Sequence, residues 1–270
     1  MRAMRRLLLS VLLAVCLPIA VSAAETGWQE VAPQVSIRLI SSGEVGPDGR
    51  MLVGLEIDMP VNTKTYWRVP GETGIPTEID ISGSRGVRDP SILWPYPTVE
   101  TRDGYVDYVY YGPTVLPVEL TVEDEAAHLE LKALLGICSD ICIPVTAALS
   151  LPLAGRAPDA GNRLRLHQAV ALAPIEWSDP GPPVGEVRYD GKARALAVEK
   201  GEGELAPADL IGAFADGAPL LGAAQADASG RTLLPLLDEV EPQALAGRSV
   251  ELVFRTQSGA YSVTRTVITD

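Results

Sequence analysis

Apolar and polar residues alternate through most of the first half of the chain. VSIRLISSG (35–43) and MLVGLEIDM (51–59) both follow a period of two. In the second run Val53, Leu55 and Ile57 share one face, and Leu52, Gly54 and Glu56 share the other. TYWRV (65–69), TEIDIS (77–82), YVDYVYYG (105–112), VLPVELTV (115–122), HLELKALL (128–135) and VTAALSLPL (145–153) continue the pattern, separated by Gly, Pro, Asn and Asp. Successive side chains of a strand point to opposite faces, so this spacing reads as many short, half-buried strands. Short strands with regular turn signals imply an antiparallel sandwich. No long helical periodicity occurs before residue 155.

The pattern then breaks. Asp159 is placed to cap a short helix running to about Leu172, with Leu164, Val170 and Ala171 giving part of an apolar stripe. Pro174 and the Asp179-Pro180-Gly181-Pro182-Pro183 run stop it and read as a linker. Beyond the linker, GEVRYDGKARALAVEK predicts a hairpin around Asp190-Gly191, and SVELVFRTQSGAYSVTRTVITD predicts another at Ser258-Gly259. The segment between them, ELAPADLIGAFADGAPLLGAAQADASG, is ambiguous. The expected organisation is therefore all-β: a first sandwich over 25–155, a helix and proline-rich linker over 156–183, and a second, smaller β domain over 184–270. The second unit has no cysteine and no catalytic constellation, and it reads as a scaffold or docking domain.

The first 24 residues have another character. Arg2, Arg5 and Arg6 precede an apolar run from Leu7 to Val21, followed by Ser22-Ala23-Ala24. A basic, then apolar, then small-residue order is that of a secretory signal peptide. The run is too short for a membrane-spanning helix. Val15 before Cys16 argues against a lipoprotein site. Export to the periplasm is the expectation, with a soluble mature protein.

Cleavage would change the charge and the cysteine count. The whole chain carries 22 basic and 35 acidic residues, a net charge of −13. Loss of three arginines leaves 19 basic residues and a net charge of about −16. Such a field repels phosphate backbones, so nucleic acid is not an expected partner. Cys16 goes as well, leaving Cys138 and Cys142 in GICSDICIP (136–144). Disulfides persist in an oxidising compartment.

Three readings of that pair stay open. As a staple it closes a loop of about five residues, and chain entropy then stabilises by only about 2 kcal/mol. As a metal clamp, two thiolates suit Cu(I) or half a zinc site. The chain supplies only His128 and His167 as histidine ligands, and His128 reads as a strand surface residue. As a redox dithiol, the pair opens and closes by exchange with a partner thiolate. Asp140 between the cysteines disfavours thiolate, so a low thiol pKa is not expected. That chemistry suits a shuttle activated by a docked partner, and it is the favoured reading. No cofactor is expected.

Four stretches also carry a resemblance. TYWRVPGETGIP (65–76), SILWPYPTVE (91–100), GYVDYVYYGPTVLPVEL (104–120) and ICSDICIP (137–144) lie in an order that resembles the N-terminal periplasmic domain of the thiol:disulfide interchange protein DsbD. They are more similar still to the ScsB branch of that family, which has a tandem immunoglobulin-like region. The resemblance implies a sandwich whose cysteine pair takes electrons from a transmembrane thiol reductase of the DsbD, ScsB or CcdA type. It implies delivery to a periplasmic thioredoxin-fold protein, ScsC- or DsbC-like, and a link to copper tolerance. By position Cys142 forms the mixed disulfide and Cys138 resolves it. DsbD spaces its cysteines more widely, and three intervening residues fit the ScsB branch. The chain ends at Asp270 without membrane spans or a thioredoxin-like domain, so the electron source is expected to be a separate protein.

Eight aromatics, Tyr66, Trp67, Trp94, Tyr96, Tyr105, Tyr108, Tyr110 and Tyr111, crowd one 46-residue window, although aromatics are 5% of the chain. Most should be core. In the related domains an aromatic cap loop shields the disulfide, and the Trp94–Tyr105 loop is the candidate here. Tyr66, Trp94, Tyr96 and Tyr105 are the candidate cap residues. Asp140, Glu100 and Asp103 are candidates for tuning the thiols, and Arg68 is expected to pair with Glu72.

Overall fold

A computed structural model of the protein describes residues 24–153 and 158–269. The segment read as a signal peptide lies almost wholly outside the described residues. The first unit contains β1 (Gln29–Ala32), β2 (Val35–Val45), β3 (Arg50–Asp58), β4 (Lys64–Gly71), β5 (Glu78–Asp80), β6 (Val87–Ile92), β7 (Thr98–Arg102), β8 (Tyr105–Tyr111), β9 (Thr114–Val122), β10 (His128–Cys138) and β11 (Cys142–Pro152). One sheet has the order β1-β2-β3-β9-β6 and the facing sheet β11-β10-β4-β8-β7, with β5 on the edge of β10. All their pairings are antiparallel.

Alternation decides which residues fill the sandwich. Val53, Leu55 and Ile57 of β3 point inward and are fully buried, as do Leu116, Val118 and Leu120 of β9. From the facing sheet come Trp67 of β4, Tyr108 of β8, and the odd-numbered Leu129, Leu131 and Leu135 of β10. Trp67 and Tyr108 meet edge to face, with ring centroids 5.8 Å apart. The even positions of β10 face outward, which places Cys138 on the outer face of the sheet. Two of the strands, β6 and β7, carry too few apolar residues to alternate, so the pattern alone does not predict them.

The helix forms where Asp159 predicts it. α1 (Ala160–Val170) is capped by the Asp159 carboxylate, which accepts from the Asn162 backbone N–H at 2.9 Å. The buried face differs from the expected stripe. Leu166, Ala169 and Asn162 are buried, whereas Leu164 is exposed. The reason lies in β3. A Cβ on Gly54 would stand 2.6 Å from Leu166 Cδ2, so the missing side chain makes the seat for the helix.

The second unit holds β12 (Ile175–Glu176), β13 (Val184–Asp190), β14 (Ala195–Lys200), β15 (Leu210–Phe214), β16 (Gln225–Ala226), β17 (Thr232–Pro235), β18 (Ser249–Thr256) and β19 (Gly259–Ile268). Both expected hairpins are present, with Asp190 opposite Ala195 and Thr256 opposite Gly259. Long β19 serves two layers. Residues 259–266 pair antiparallel with β18, and Val267 and Ile268 pair parallel with β13. The strand order is β15-β18-β19-β13-β14-β17-β16, and a strand that changes layers lets one ribbon close as a sandwich. Both units are immunoglobulin-like β-sandwiches.

The ambiguous segment contains the contact between the two units. All five residues of β15, LIGAF, are buried. Leu210 and Phe214 join the second core, while Ile211 and Ala213, with Val253 of β18, pack into the first. A strand buried on both faces reads as a continuous apolar run, and its period is lost. Tyr108 Oη donates to the Leu221 carbonyl at 2.7 Å across the junction, and Arg68 pairs with Glu251. Arg68 also stacks on Trp67. The expected Arg68–Glu72 pair does not form, because Glu72 instead accepts from the Val106 backbone N–H at 2.8 Å.

Tyr108→Phe leaves the buried Leu221 carbonyl without that donor, and we expect a loss of about 1–2 kcal/mol in urea unfolding. An unchanged midpoint would show that the junction bond contributes nothing.

Candidate functional site

Cys138 ends β10 and Cys142 begins β11, so Ser139, Asp140 and Ile141 form a three-residue hairpin loop. The two strands pair over eleven registers from His128↔Pro152 to Cys138↔Cys142. Directly opposed residues point to the same face, and the cysteines meet at the turn end of the ladder. They are bonded as a disulfide, with Cα atoms 4.0 Å apart. The two differ in access: Cys138 is 6% exposed, whereas Cys142 is exposed. Ile141 and Ile143, beside Cys142, are also exposed.

A row of side chains runs back from the pair across the sheet. Cys138 is opposite Lys64 of β4, and Lys64 is opposite Tyr111 of β8. Tyr66, two residues after Lys64, lies on the same face and is fully buried against Val109 and Cys138. The reason is local. The Glu72–Thr77 loop folds over the ring, where Gly74 and Gly136 have no Cβ. On Gly136 a Cβ would stand 2.9 Å from Tyr66 Cδ2, and on Gly74 it would overlap the ring. In this slot Tyr66 Oη sits 3.4 Å from Cys142 Sγ. Burial lifts the Tyr66 pKa above the ordinary phenol value, against the opposing Lys64 charge. The phenol therefore keeps its proton at neutral pH and can donate to a sulfur.

Behind the sulfurs is a buried ion cluster. Lys64 Nζ contacts Glu100 of β7, and Asp107 Oδ2 of β8 at 3.2 Å. Asp107 also accepts from Thr73 Oγ1 at 2.6 Å and from the Thr73 backbone N–H at 3.0 Å. Glu100 accepts from Tyr111 Oη at 2.6 Å. Burial works against the Lys64 charge, but the Glu100 and Asp107 contacts and nearby Tyr66 outweigh it, and its pKa stands above the usual lysine value. Burial likewise pushes Glu100 up, and the bonds from Lys64 and Tyr111 more than reverse this, leaving it below the usual carboxylate range. Buried charges survive only when paired in this way.

These groups, with Arg102, Asp103, Tyr105 and Asp140, line an open cleft of about 280 Å³ at the disulfide. Tyr105 and Asp103 arrive on the β7–β8 hairpin, whose Asp103-Gly104 turn has φ of 54° and 88°. Two positive φ angles in a two-residue turn let the strands stay tightly paired up to Arg102↔Tyr105.

The structure thus gathers Cys138, Cys142, Tyr66, Tyr105, Asp140, Glu100 and Asp103. It divides the candidate cap loop. Trp94 and Tyr96 lie away from the cysteine cleft and pack on the first core beside Leu220, Ala223 and Leu237 of the second unit. Arg255 lies over the Tyr96 ring at 5.4 Å. Burial, with Asp209 nearby, pushes the Tyr96 hydroxyl up to about 12 despite Arg255. Prolines 95 and 97 carry the chain from that junction into β7.

Lys64, Thr73 and Asp107 were not singled out in the sequence. Asp107 left a signal, as the lone charge in the apolar strand YVDYVYY, where a buried acid demands a partner. Lys64 left none, since a lysine at a strand end is ordinary. His128 contacts Glu130 and Ser150 on the strand surface, as read. Among the described residues no cluster of three or more His, Cys, Asp or Glu could hold a metal ion, and no helix is long and apolar enough to cross a membrane.

The fold and site define an immunoglobulin-like sandwich with a hairpin disulfide open to solvent on its outer face. Residues 38–154, most of the first sandwich, match the family described as thiol:disulfide interchange protein DsbD, N-terminal. The N-terminal periplasmic domain of ScsB from Proteus mirabilis superposes with a TM-score of 0.70 at 22% identity, covering 92% of this chain and 99% of that one. That likeness extends the shared fold over both sandwiches. Tandem immunoglobulin domains of titin align at 9% identity over 83% of this chain and 89% of theirs, with a TM-score of 0.19 that carries no argument. Comparison with curated proteins gives no match.

Glu100 has a depressed pKa. Its contribution to stability is present above the unfolded value of 4.5 and is lost as pH falls through the lower folded value. Lys64 is raised, so its contribution is present below 10.5 and is lost as pH rises through the higher folded value. The stability difference between wild type and Lys64→Met should therefore be greatest at neutral pH and shrink on acidification below about 4.5. Urea unfolding at several pH values measures it, and a pH-independent difference would contradict the ion-cluster account.

Proposed function

We propose that this protein is a periplasmic thiol:disulfide interchange protein whose Cys138–Cys142 pair relays electrons between a membrane thiol reductase and a thioredoxin-fold protein. The observation that carries this reading is the asymmetry of the pair. Cys142 is exposed at the hairpin end, and Cys138 is buried. Disulfide exchange needs in-line access to one sulfur, with the other free to leave. A partner thiolate reaches Cys142, and Cys138 becomes the leaving group and later the resolving thiol. The match of residues 38–154 to a thiol:disulfide interchange family supports the same reading.

The surroundings suit a carrier that reacts with chosen partners. Glu100, Asp103, Asp107 and Asp140 put negative charge around the sulfurs, and Lys64 balances only part of it. Thiolate is disfavoured in such a field, which slows reaction with small thiols. Exposed Ile141, Ile143, Tyr105 and Tyr111 give a docked protein apolar surface around the pair. The basic, apolar and small-residue order of residues 1–24 supports export, and the ScsB domain that superposes is periplasmic by its own description.

Two experiments test the relay. Cys138→Ala should accumulate a mixed disulfide through Cys142 when offered oxidised thioredoxin-fold proteins. Absence of any such adduct would overturn the assignment of roles. Titration of the wild-type pair against glutathione should give a midpoint within the range of exchanging dithiols. A midpoint well below about −300 mV would mark a structural disulfide instead.

A further inference from the structure

We propose that Lys64 is a positioning residue for the exchange reaction, its ammonium easing ionisation of the reduced Cys138–Cys142 pair from the facing strand. The inference rests on the exchange reading above and concerns the control of that same site. It starts from register: Lys64 is the cross-strand neighbour of Cys138, and Cys138 of Cys142. Opposed residues on one face have Cβ atoms about 5 Å apart. The ammonium cannot swing away into water, because Glu100 and Asp107 hold it and its side chain is 11% exposed. It is the buried cation lining the cleft. Arg102, the other cation there, is exposed beside Asp103 and is screened by water.

The chemistry gives this charge a role. A donor thiolate attacks Cys142 Sγ, forming the intermolecular disulfide and breaking the Cys138–Cys142 bond. The electron pair of that bond passes to Cys138 Sγ, which emerges as a thiolate beside Lys64. The donor's second thiol, as thiolate, then attacks its own sulfur in the mixed disulfide and releases Cys142. The donor loses two electrons and two protons, and the pair gains both. Each half-step passes through a thiolate in this cleft, and the reverse direction uses the same species.

Other charges face those sulfurs. β7 contributes Glu100, β8 contributes Asp107, the hairpin turns contribute Asp103 and Asp140, and the phenols of Tyr66, Tyr105 and Tyr111 stand nearby. All the acids oppose ionisation, and Lys64 opposes the acids. Two substitutions separate charge from architecture, because Lys64→Met and Glu100→Gln break the same Lys64–Glu100 contact. If the contact only braces the β7–β8 hairpin, both loosen it, and both change thiol reactivity in one direction. If the charge acts on the sulfurs, the two changes have opposite signs. Losing the cation raises the thiol pKa, and losing the anion lowers it.

The measurement is the pH profile of iodoacetamide alkylation of the dithiothreitol-reduced protein, followed by mass spectrometry. At neutral pH we expect Lys64→Met to react at least about threefold more slowly than wild type. Glu100→Gln should react at least about threefold faster, and Lys64→Arg should stay within about twofold of wild type. Same-direction shifts in Lys64→Met and Glu100→Gln, or a Lys64→Arg as slow as Lys64→Met, would overturn the inference and leave the exchange reading standing. Should Lys64→Met fail to fold, an unaltered profile in Glu100→Gln would overturn it alone. A wild-type pair that excess dithiothreitol cannot open would overturn the exchange reading and this inference together.

Discussion

Everything at the site depends on the register of one hairpin. The β10–β11 ladder fixes eleven consecutive pairs, and side chains alternate strictly between the two faces. Leu129, Leu131, Leu135 and Ile137 fill the core, so Cys138 must point outward. On β11 Val145, Ala147, Leu149 and Leu151 fill the core, so Cys142 must also point outward. A slip of one residue on either strand would turn its cysteine inward and its four named core residues outward. At about 0.8 kcal/mol for each buried methylene, that alternative is far out of reach. The core thus holds the disulfide in place without touching it.

The same alternation builds the polar cluster. Lys64 and Tyr66 are outward residues of β4, and Asp107, Val109 and Tyr111 are outward residues of β8. They should be wet, but the Glu72–Thr77 loop together with β7 keeps Lys64, Tyr66, Asp107 and Val109 dry, and Tyr111 stays exposed at the rim. A lysine removed from water would ordinarily lose its proton, but here two carboxylates hold it charged. This outer layer is a small second core, with Tyr66, Val109 and Cys138 as its apolar part. Its stability is electrostatic to a degree that the main core's is not, and it adjoins the reactive bond.

Most of the strand pattern was legible because each strand of the first sandwich has one buried face. The hairpins at Asp190-Gly191 and Ser258-Gly259 were legible from turn chemistry. The cysteine pair, Tyr66, Tyr105, Asp140, Glu100 and Asp103 are legible in the sequence as candidates. Three things were hidden, each for a physical reason. β15 is apolar on both faces because it lies between two cores, and a strand of that kind has no period. β7 (TVETR) has no apolar alternation because its partners bury only part of it. Leu164 fits a helical stripe by spacing, yet the seat over Gly54 selects Leu166. Loop residues Trp94 and Tyr96 were assigned with Tyr105 by closeness in sequence, and Pro95 and Pro97 carry the chain away between them.

β7 connects what the sequence reading kept apart. Thr98 and Thr101 line the groove shared with Leu210, Ala223 and Arg255 of the second sandwich. Glu100 and Arg102 line the cysteine cleft. One short strand is thus wall to both. At its foot the Tyr96 backbone N–H donates to the Leu172 carbonyl at 2.8 Å, and the Tyr96 ring lies under Arg255. At its head Glu100 is tied to Lys64 and Tyr111. With buried Ile211, Ala213 and Val253 filling the first core from the far side, the second sandwich cannot shift without moving the foot of β7. The wall that carries Glu100 to the disulfide is therefore set by both sandwiches, and the geometry of the cysteine cleft belongs to the pair of them.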